Sequence, residues 1–177
     1  RSEGIALLFA PSMVLLIKVL TPISALFSGI SSLLSRFFSP DDSKTVTEKR
    51  REMLYDKIHE TALFVGVGLA SAQEIDEINI LQATFLAMER AILQLEVKAD
   101  FALIDGNREK DFGLPVMTVV KGDSRSANIA AASILAKVTR DRMCIDMDAQ
   151  YPQYGFAKHK GYPTPAHKLA VFEYGPC

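Results

Sequence analysis

Past residue 40, apolar and polar positions recur with two periods, and they mark out helices and strands in turn. Thr47, followed by Glu48 and a stretch free of Gly and Pro, predicts an amphipathic helix with Met53, Leu54, Ile58 and Ala62 on one side and Glu, Lys and Arg opposite. Residues 63–70 alternate, with Leu63, Val65, Val67 and Leu69 on one face and Phe64, Gly66, Gly68 and Ala70 on the other, the pattern of a strand. Ser71 with Glu74 is a capping box that opens a short helix. A longer helix follows, whose stripe of Leu81, Phe85, Met88, Ile92 and Leu95 belongs to the core. The continuous apolar run from Phe101 to Ile104 predicts a strand buried on both faces, ending at Asp105.

Residues 107–114 form a polar loop, and the β-branched run from Pro115 to Val120 leads off another strand into a turn at Gly122. A helix is expected from near Ser126, with Ser124 and Ser126 both able to cap it, because their hydroxyls accept from unpaired first-turn amides. Such an end favours nearby anions. Ala130, Ala131 and Ala132 keep one turn of that helix nearly free of bulk, which lets a backbone or a ligand come close. Tyr151-Pro152 ends helical structure, and Thr164-Pro165 starts a last short helix, Ala166 to Tyr174. The alternation of elements predicts an α/β body over residues 41–177, with 63–70, 101–105 and 115–121 in one mixed sheet flanked by helices.

The first forty residues read differently. Residues 4–38 are almost unbroken apolar sequence, interrupted by Pro11, Lys18, Pro22 and a few serines. Three readings stay open: two buried strands of the core sheet, a membrane helix or leader, or degenerate sequence joined to the body. Lys18 and the two prolines spoil a clean span of about 20 apolar residues. Residues 1–40 are therefore taken as an atypical hydrophobic segment apart from 41–177.

Composition narrows the picture only a little. At 177 residues, 49% hydrophobic and 23% charged, the chain suits one domain with a sizeable core. Its net charge of −1 gives no global pull on nucleic acid, so phosphate binding has to come from local clusters such as Lys158 with Lys160. Cys144 and Cys177 have neither metal nor disulfide-framework spacing, which suits a reducing, cytoplasmic setting. His59, His159 and His167 show no zinc spacing.

Asp105 and Asp123 carry the candidate chemistry, each following a hydrophobic strand. Two carboxylates held close either share a proton or bind a divalent cation, and oxygen ligands suit Mg²⁺ or Mn²⁺. Two acids in solvated turns are the commoner case for residues met singly.

Three motifs in order change those odds: Lys121-Gly122-Asp123-Ser124, the run Ala130-Ala131-Ala132-Ser133-Ile134-Leu135-Ala136-Lys137-Val138-Thr139-Arg140-Asp141, and Tyr154-Gly155-Phe156-Ala157-Lys158-His159-Lys160-Gly161-Tyr162. As a set they resemble bacterial ribonuclease HII, the type 2 ribonuclease H. The likeness runs from near Asp42-Ser43-Lys44 to Tyr174-Gly175-Pro176-Cys177, and the chain resembles a fragment of a longer family member. The resemblance implies a ribonuclease H-like mixed sheet and an endonuclease that hydrolyses the RNA strand of RNA–DNA hybrids, leaving 5′-phosphate and 3′-hydroxyl ends. It implies Mn²⁺ or Mg²⁺ held by Asp105 and Asp123. Ser43, Lys44, Lys121 and Lys158 would contact phosphate, and Tyr162 would stack near the ribonucleotide at an RNA–DNA junction. Arg140 and Asp141 stand behind these, and pair as readily for structure. The implied partners are RNA–DNA hybrids and DNA containing ribonucleotides, bound by a monomer with no protein partner.

One family feature is missing: an adjacent Asp-Glu on the first strand, followed after one residue by Gly-Arg-Gly. Under one alignment Glu3 keeps a metal-binding and catalytic carboxylate; under another both acids are gone. A catalytically impaired, hybrid-binding remnant therefore stands beside the enzyme, and a membrane-tethered protein using residues 5–37 as anchor stands behind both. The chain is expected to cleave poorly while still binding through Lys44, Lys121, Lys158 and Tyr162.

Overall fold

The computed structural model describes residues 14–15 and 47–177. In order, these form β1 (Val14–Leu15), α1 (Glu48–Thr61), β2 (Gly66–Val67), α2 (Ala72–Leu93), β3 (Ala102–Asp105), β4 (Val116–Val119), α3 (Ala127–Gln150), α4 (Phe156–His159) and α5 (Pro165–Tyr174). Short 3-10 turns at Gly122–Ser124 and Pro152–Tyr154 flank α3. The described part is mostly helical, with a small parallel sheet.

β3 and β4 lie in one sheet, as expected for 101–105 and 115–121, and they pair in parallel. The 63–70 segment departs from that expectation: among the described residues β2 ladders antiparallel with β1, not with β3 or β4. Both faces of this segment are covered: Val65 and Val67 pack against the core between α1 and α3. Gly66 and Gly68 are buried directly on the α2 backbone at Ala87 and Ala91, while Leu63 and Leu69, toward the ends of the segment, are exposed. Packing this close to a helix backbone leaves no room for side chains on the glycine face. The rest of the expectation for residues 1–40 lies outside the described residues.

α1 is capped by Thr47, whose hydroxyl accepts from the Arg50 amide, and it buries Leu54 and Ile58 while Met53 stays exposed. These two meet Ala130, Ala131, Ile134, Leu135 and Val138 of α3, where the run of small residues permits close approach. Burying side chains of the Leu and Ile size contributes about 1.5–3 kcal/mol each. On the other side, Phe85, Met88 and Ala91 of α2 pack on Ala99, Ala102 and Ile104. Leu81, expected in this stripe, is exposed. β3 is not buried on both faces: Ala102 and Ile104 are, while Leu103 and Asp105 on the opposite face are partly open. The third core cluster joins Cys144 to Tyr154, Phe156 and Ala170. Burial pushes the Cys144 thiol up, so it stays protonated and unreactive. Among the described residues no helix is long and apolar enough to cross a membrane.

The capping box at Ser71 and Glu74 forms, with Ser71 Oγ accepting from the Glu74 amide and Glu74 Oε2 accepting from the Ser71 amide. α2 then breaks at Asn79 (φ 67, ψ 164), whose Oδ1 accepts from the Leu81 and Gln82 amides and so caps the longer half. Glu74 meets Arg90 in a two-pronged contact of 2.9 and 2.5 Å. A straight helix would separate residues that far apart by about 24 Å, so the break turns the short half back on the long one. Arg90 holds the Glu74 carboxyl down at about 2, the Ser71 amide adding to the effect. Since the ordinary value is 4.5, this contribution to stability is fully present above it and is lost as pH falls through about 2. Urea midpoints of the parent and Glu74→Gln should therefore differ at pH 6 and converge on acidification, more so at low salt because the pair is exposed.

Candidate active site at the strand ends

The parallel register sets Asp105 opposite Val119, so β3 and β4 deliver the chain to the same end of their sheet. Beyond Val119 the backbone turns through Lys121, in the left-handed region at φ 54, into the turn Gly122–Ser124. The Gly122 amide donates to Asp105 Oδ1 at 2.7 Å, and the Gly106 amide donates to the Val119 carbonyl at 3.1 Å. These two bonds bring the Asp105 carboxylate to the residue just before Asp123. Gly122 fits closely there: a Cβ would lie 2.6 Å from Ile129 Cδ1 and 3.2 Å from Asp105 Oδ1, so the Ile129 side chain would have to shift to admit one. Ser126 caps α3, accepting from the Ile129 amide, whereas Ser124 donates its hydroxyl to the Lys121 carbonyl and takes no part in the cap.

Asp105 and Asp123 are both partly buried. The backbone bond occupies one oxygen of Asp105 and fixes its plane, leaving the other for a ligand. Hard carboxylate oxygens in this setting are the donors that Mg²⁺ and Mn²⁺ prefer, so the two residues fit such an ion in kind. Among the described residues no group of three His, Cys, Asp or Glu side chains is gathered to hold one. Glu3 lies outside the described residues.

A second feature sits further along α3. Tyr162 rests on Arg140, whose guanidinium carbon is 4.4 Å from the ring centroid, with Lys137 Nζ at 5.6 Å. Arg140 also donates to the Lys160 carbonyl at 2.8 Å. Asp141 pairs with Lys137 at 2.5 Å, so Arg140 and Asp141 do not pair with each other. The turn that carries Tyr162 is held from below by two buried histidines, stacked at 4.2 Å and 11°. His159 Nδ1 accepts from the Gly161 amide, which leaves Nε2–H to donate to the Tyr154 carbonyl at 2.7 Å, and His167 Nδ1 donates to the Tyr162 carbonyl at 3.0 Å. Phe156 meets both rings edge-on.

The structure thus brings Asp105 to the Asp123 turn and rests Tyr162, carried by the turn after α4, against Arg140 of the helix that the Asp123 turn enters. Lys121 and Lys158 are exposed, as phosphate contacts have to be. Ser43 and Lys44 lie outside the described residues. The histidine pair was not legible in the sequence: the two residues share no motif, and only the reversal at Gly161 stacks them. Nor was Arg140 beneath Tyr162, since twenty-one residues of intervening chain hide the contact.

The family model for ribonuclease HII matches residues 35–177. Ribonuclease HII of Psychromonas ingrahamii is 57% identical over 134 residues, covering 76% of this chain and 66% of the relative. Ribonuclease HII of Shewanella amazonensis is 57% identical over 135 residues, again covering 66% of the relative. The chain therefore spans a little under two thirds of the length of these relatives. Among solved structures, the ribonuclease H2 from Pyrococcus horikoshii OT3 is similar with a TM-score of 0.63 and 28% identity, covering 81% of this chain and 72% of that one.

Proposed function

This chain belongs to the ribonuclease HII family, and from that membership we propose that it is a divalent-metal-dependent endonuclease acting on the RNA strand of RNA–DNA hybrids and on ribonucleotides within DNA. The products are 5′-phosphate and 3′-hydroxyl ends, and the working unit is residues 41–177 as a monomer. The observation that carries this reading is the 2.7 Å bond from the Gly122 amide to Asp105, which draws the Asp123 turn onto the end of β3. Asp105 and Asp123 are the residues assigned to hold Mg²⁺ or Mn²⁺, with Glu3 as the third candidate. When bound, such cations activate the attacking water and steady the leaving 3′-oxygen. The Gly122 amide keeps one Asp105 oxygen engaged and so presents the other in a fixed direction. Lys121 and Lys158, with Ser43 and Lys44, take phosphates and set the register without reading sequence. Tyr162 offers its exposed side to the sugar that bears the 2′-hydroxyl, the group that distinguishes RNA from DNA.

A second reading, binding with little cleavage, rests on the sequence having no Asp-Glu pair followed by Gly-Arg-Gly. Both readings predict salt-sensitive binding. Removing Lys121 or Lys158 should each lower the slope of log K against log salt by about one unit and weaken hybrid and DNA duplexes alike. Titration by fluorescence anisotropy from 50 to 200 mM salt reads this, and an unchanged slope removes that lysine from the interface. End analysis on a labelled duplex with one ribonucleotide tests the activity. A 3′-hydroxyl cut 5′ to the ribonucleotide supports it, and a duplex neither bound nor cut overturns it.

A further inference from the structure

Arg140 is 8% exposed, yet among the described residues no carboxylate pairs with it and its Nε finds no hydrogen-bond partner. A buried cation without a carboxylate is costly, and the next residue's carboxylate is already taken by Lys137. What compensates Arg140 is the Tyr162 ring at 4.4 Å and the Lys160 carbonyl at 2.8 Å. A guanidinium lying against an aromatic face is attracted by the ring's quadrupole, and its flat shape also sets the ring plane. Lys160 and Gly161 both have positive φ, at 49° and 76°, so the backbone entering Tyr162 turns sharply and the carbonyl bond from Arg140 pins that turn. Tyr162 remains 52% exposed with Arg140 against the ring.

We propose that Arg140 is a positioning residue for substrate recognition: it sets the orientation in which Tyr162 meets the sugar of the ribonucleotide, acting through the ring and not on the substrate. This rests on the role given to Tyr162 above. Lys137, held by Asp141 and 5.6 Å from the ring centroid, is secondary, because a flexible ammonium cannot fix a plane.

The test is a double-mutant cycle on the full chain. Affinities are measured for a duplex with one ribonucleotide and for the all-DNA duplex of the same sequence, with parent, Arg140→Met, Arg140→Lys, Tyr162→Ala and the Arg140→Met/Tyr162→Ala pair. Arg140→Met should cost about tenfold in preference for the ribonucleotide duplex, Tyr162→Ala about the same, and the pair no more than either alone. Arg140→Lys, which keeps the charge and loses the planar fork, should fall between parent and Arg140→Met, and it carries the test if Arg140→Met does not fold. Ring-labelled tyrosine NMR gives an independent readout on five tyrosines. The Tyr162 resonance, identified by its loss in Tyr162→Phe, should move in both Arg140 variants while the other four hold. Additive losses, an unmoved Tyr162 resonance, or Arg140 variants that keep the parent's preference would sink the proposal alone. A parent with no preference for the ribonucleotide duplex would overturn the functional reading, and the role of Arg140 with it.

Discussion

Cleavage of a duplex carrying one ribonucleotide should run about a thousandfold or more slower with this chain than with the Psychromonas ingrahamii relative, the two assayed side by side in Mn²⁺. The reason is ligand number. Asp105 and Asp123 supply two carboxylates from one side, whereas a pair of cations needs donors around both. Losing one positioning carboxylate removes several kcal/mol of transition-state stabilisation, and each 1.36 kcal/mol is about tenfold in rate. Asp105→Asn should abolish the remaining cleavage, because the amide keeps the shape and the Gly122 contact but not the charge. Robust cleavage by the parent that Glu3→Gln abolishes would make Glu3 a metal ligand and overturn the slow-enzyme expectation. Cleavage indifferent to Asp105→Asn would place the chemistry elsewhere.

The largest expected effect on stability belongs to Gly68→Ala. A Cβ there would stand 1.7 Å from the Ala87 carbonyl oxygen and 2.7 Å from both the Ala87 carbonyl carbon and the Ala91 nitrogen. All three are backbone atoms of α2, which cannot rotate out of the way as a side chain would. Strand and helix must therefore separate, opening a gap along the α2 packing, and the cost should be at least about 3 kcal/mol. Gly113→Ala is the contrasting case: its φ of +73° is strained for alanine, but among the described residues beyond its chain neighbours no atom lies within 4 Å of the new Cβ. That change should cost about 1 kcal/mol. Urea unfolding separates the two, and a Gly68→Ala midpoint equal to the parent's would mean that this close packing is not maintained in solution.

Much of this architecture was legible in the residues because local chemistry decides it. Thr47, Ser71 and Ser126 cap where the sequence places caps, and Asp105 lies at a strand end beside the Asp123 turn. What failed was decided by partners distant in sequence. Alternation over 63–70 marks two faces, and both pack, Val65 and Val67 toward the α1–α3 core and Gly66 and Gly68 on α2, but it does not say which strand is the neighbour. Among the described residues the segment ladders with β1 and not with β3 or β4. The continuous apolar run at 101–104 suggested burial on both sides, but Leu103 and Asp105, which share a face, are only partly buried. In the same way the left-handed turn at Lys160-Gly161, not any motif spacing, stacks His159 on His167 and lays Tyr162 on Arg140.

Paramagnetic broadening of backbone amides during a Mn²⁺ titration tests, without depending on turnover, the proposal that Asp105 and Asp123 jointly hold a divalent cation. The Gly106 and Gly122 amides, which flank the Asp105 carboxylate and the Asp123 turn, should broaden first in the parent. The effect should disappear in Asp105→Asn, in Asp123→Asn and in the double variant equally, as a shared site requires. Broadening centred on other residues, or unchanged at Gly106 and Gly122 when either aspartate is replaced, would contradict the claim.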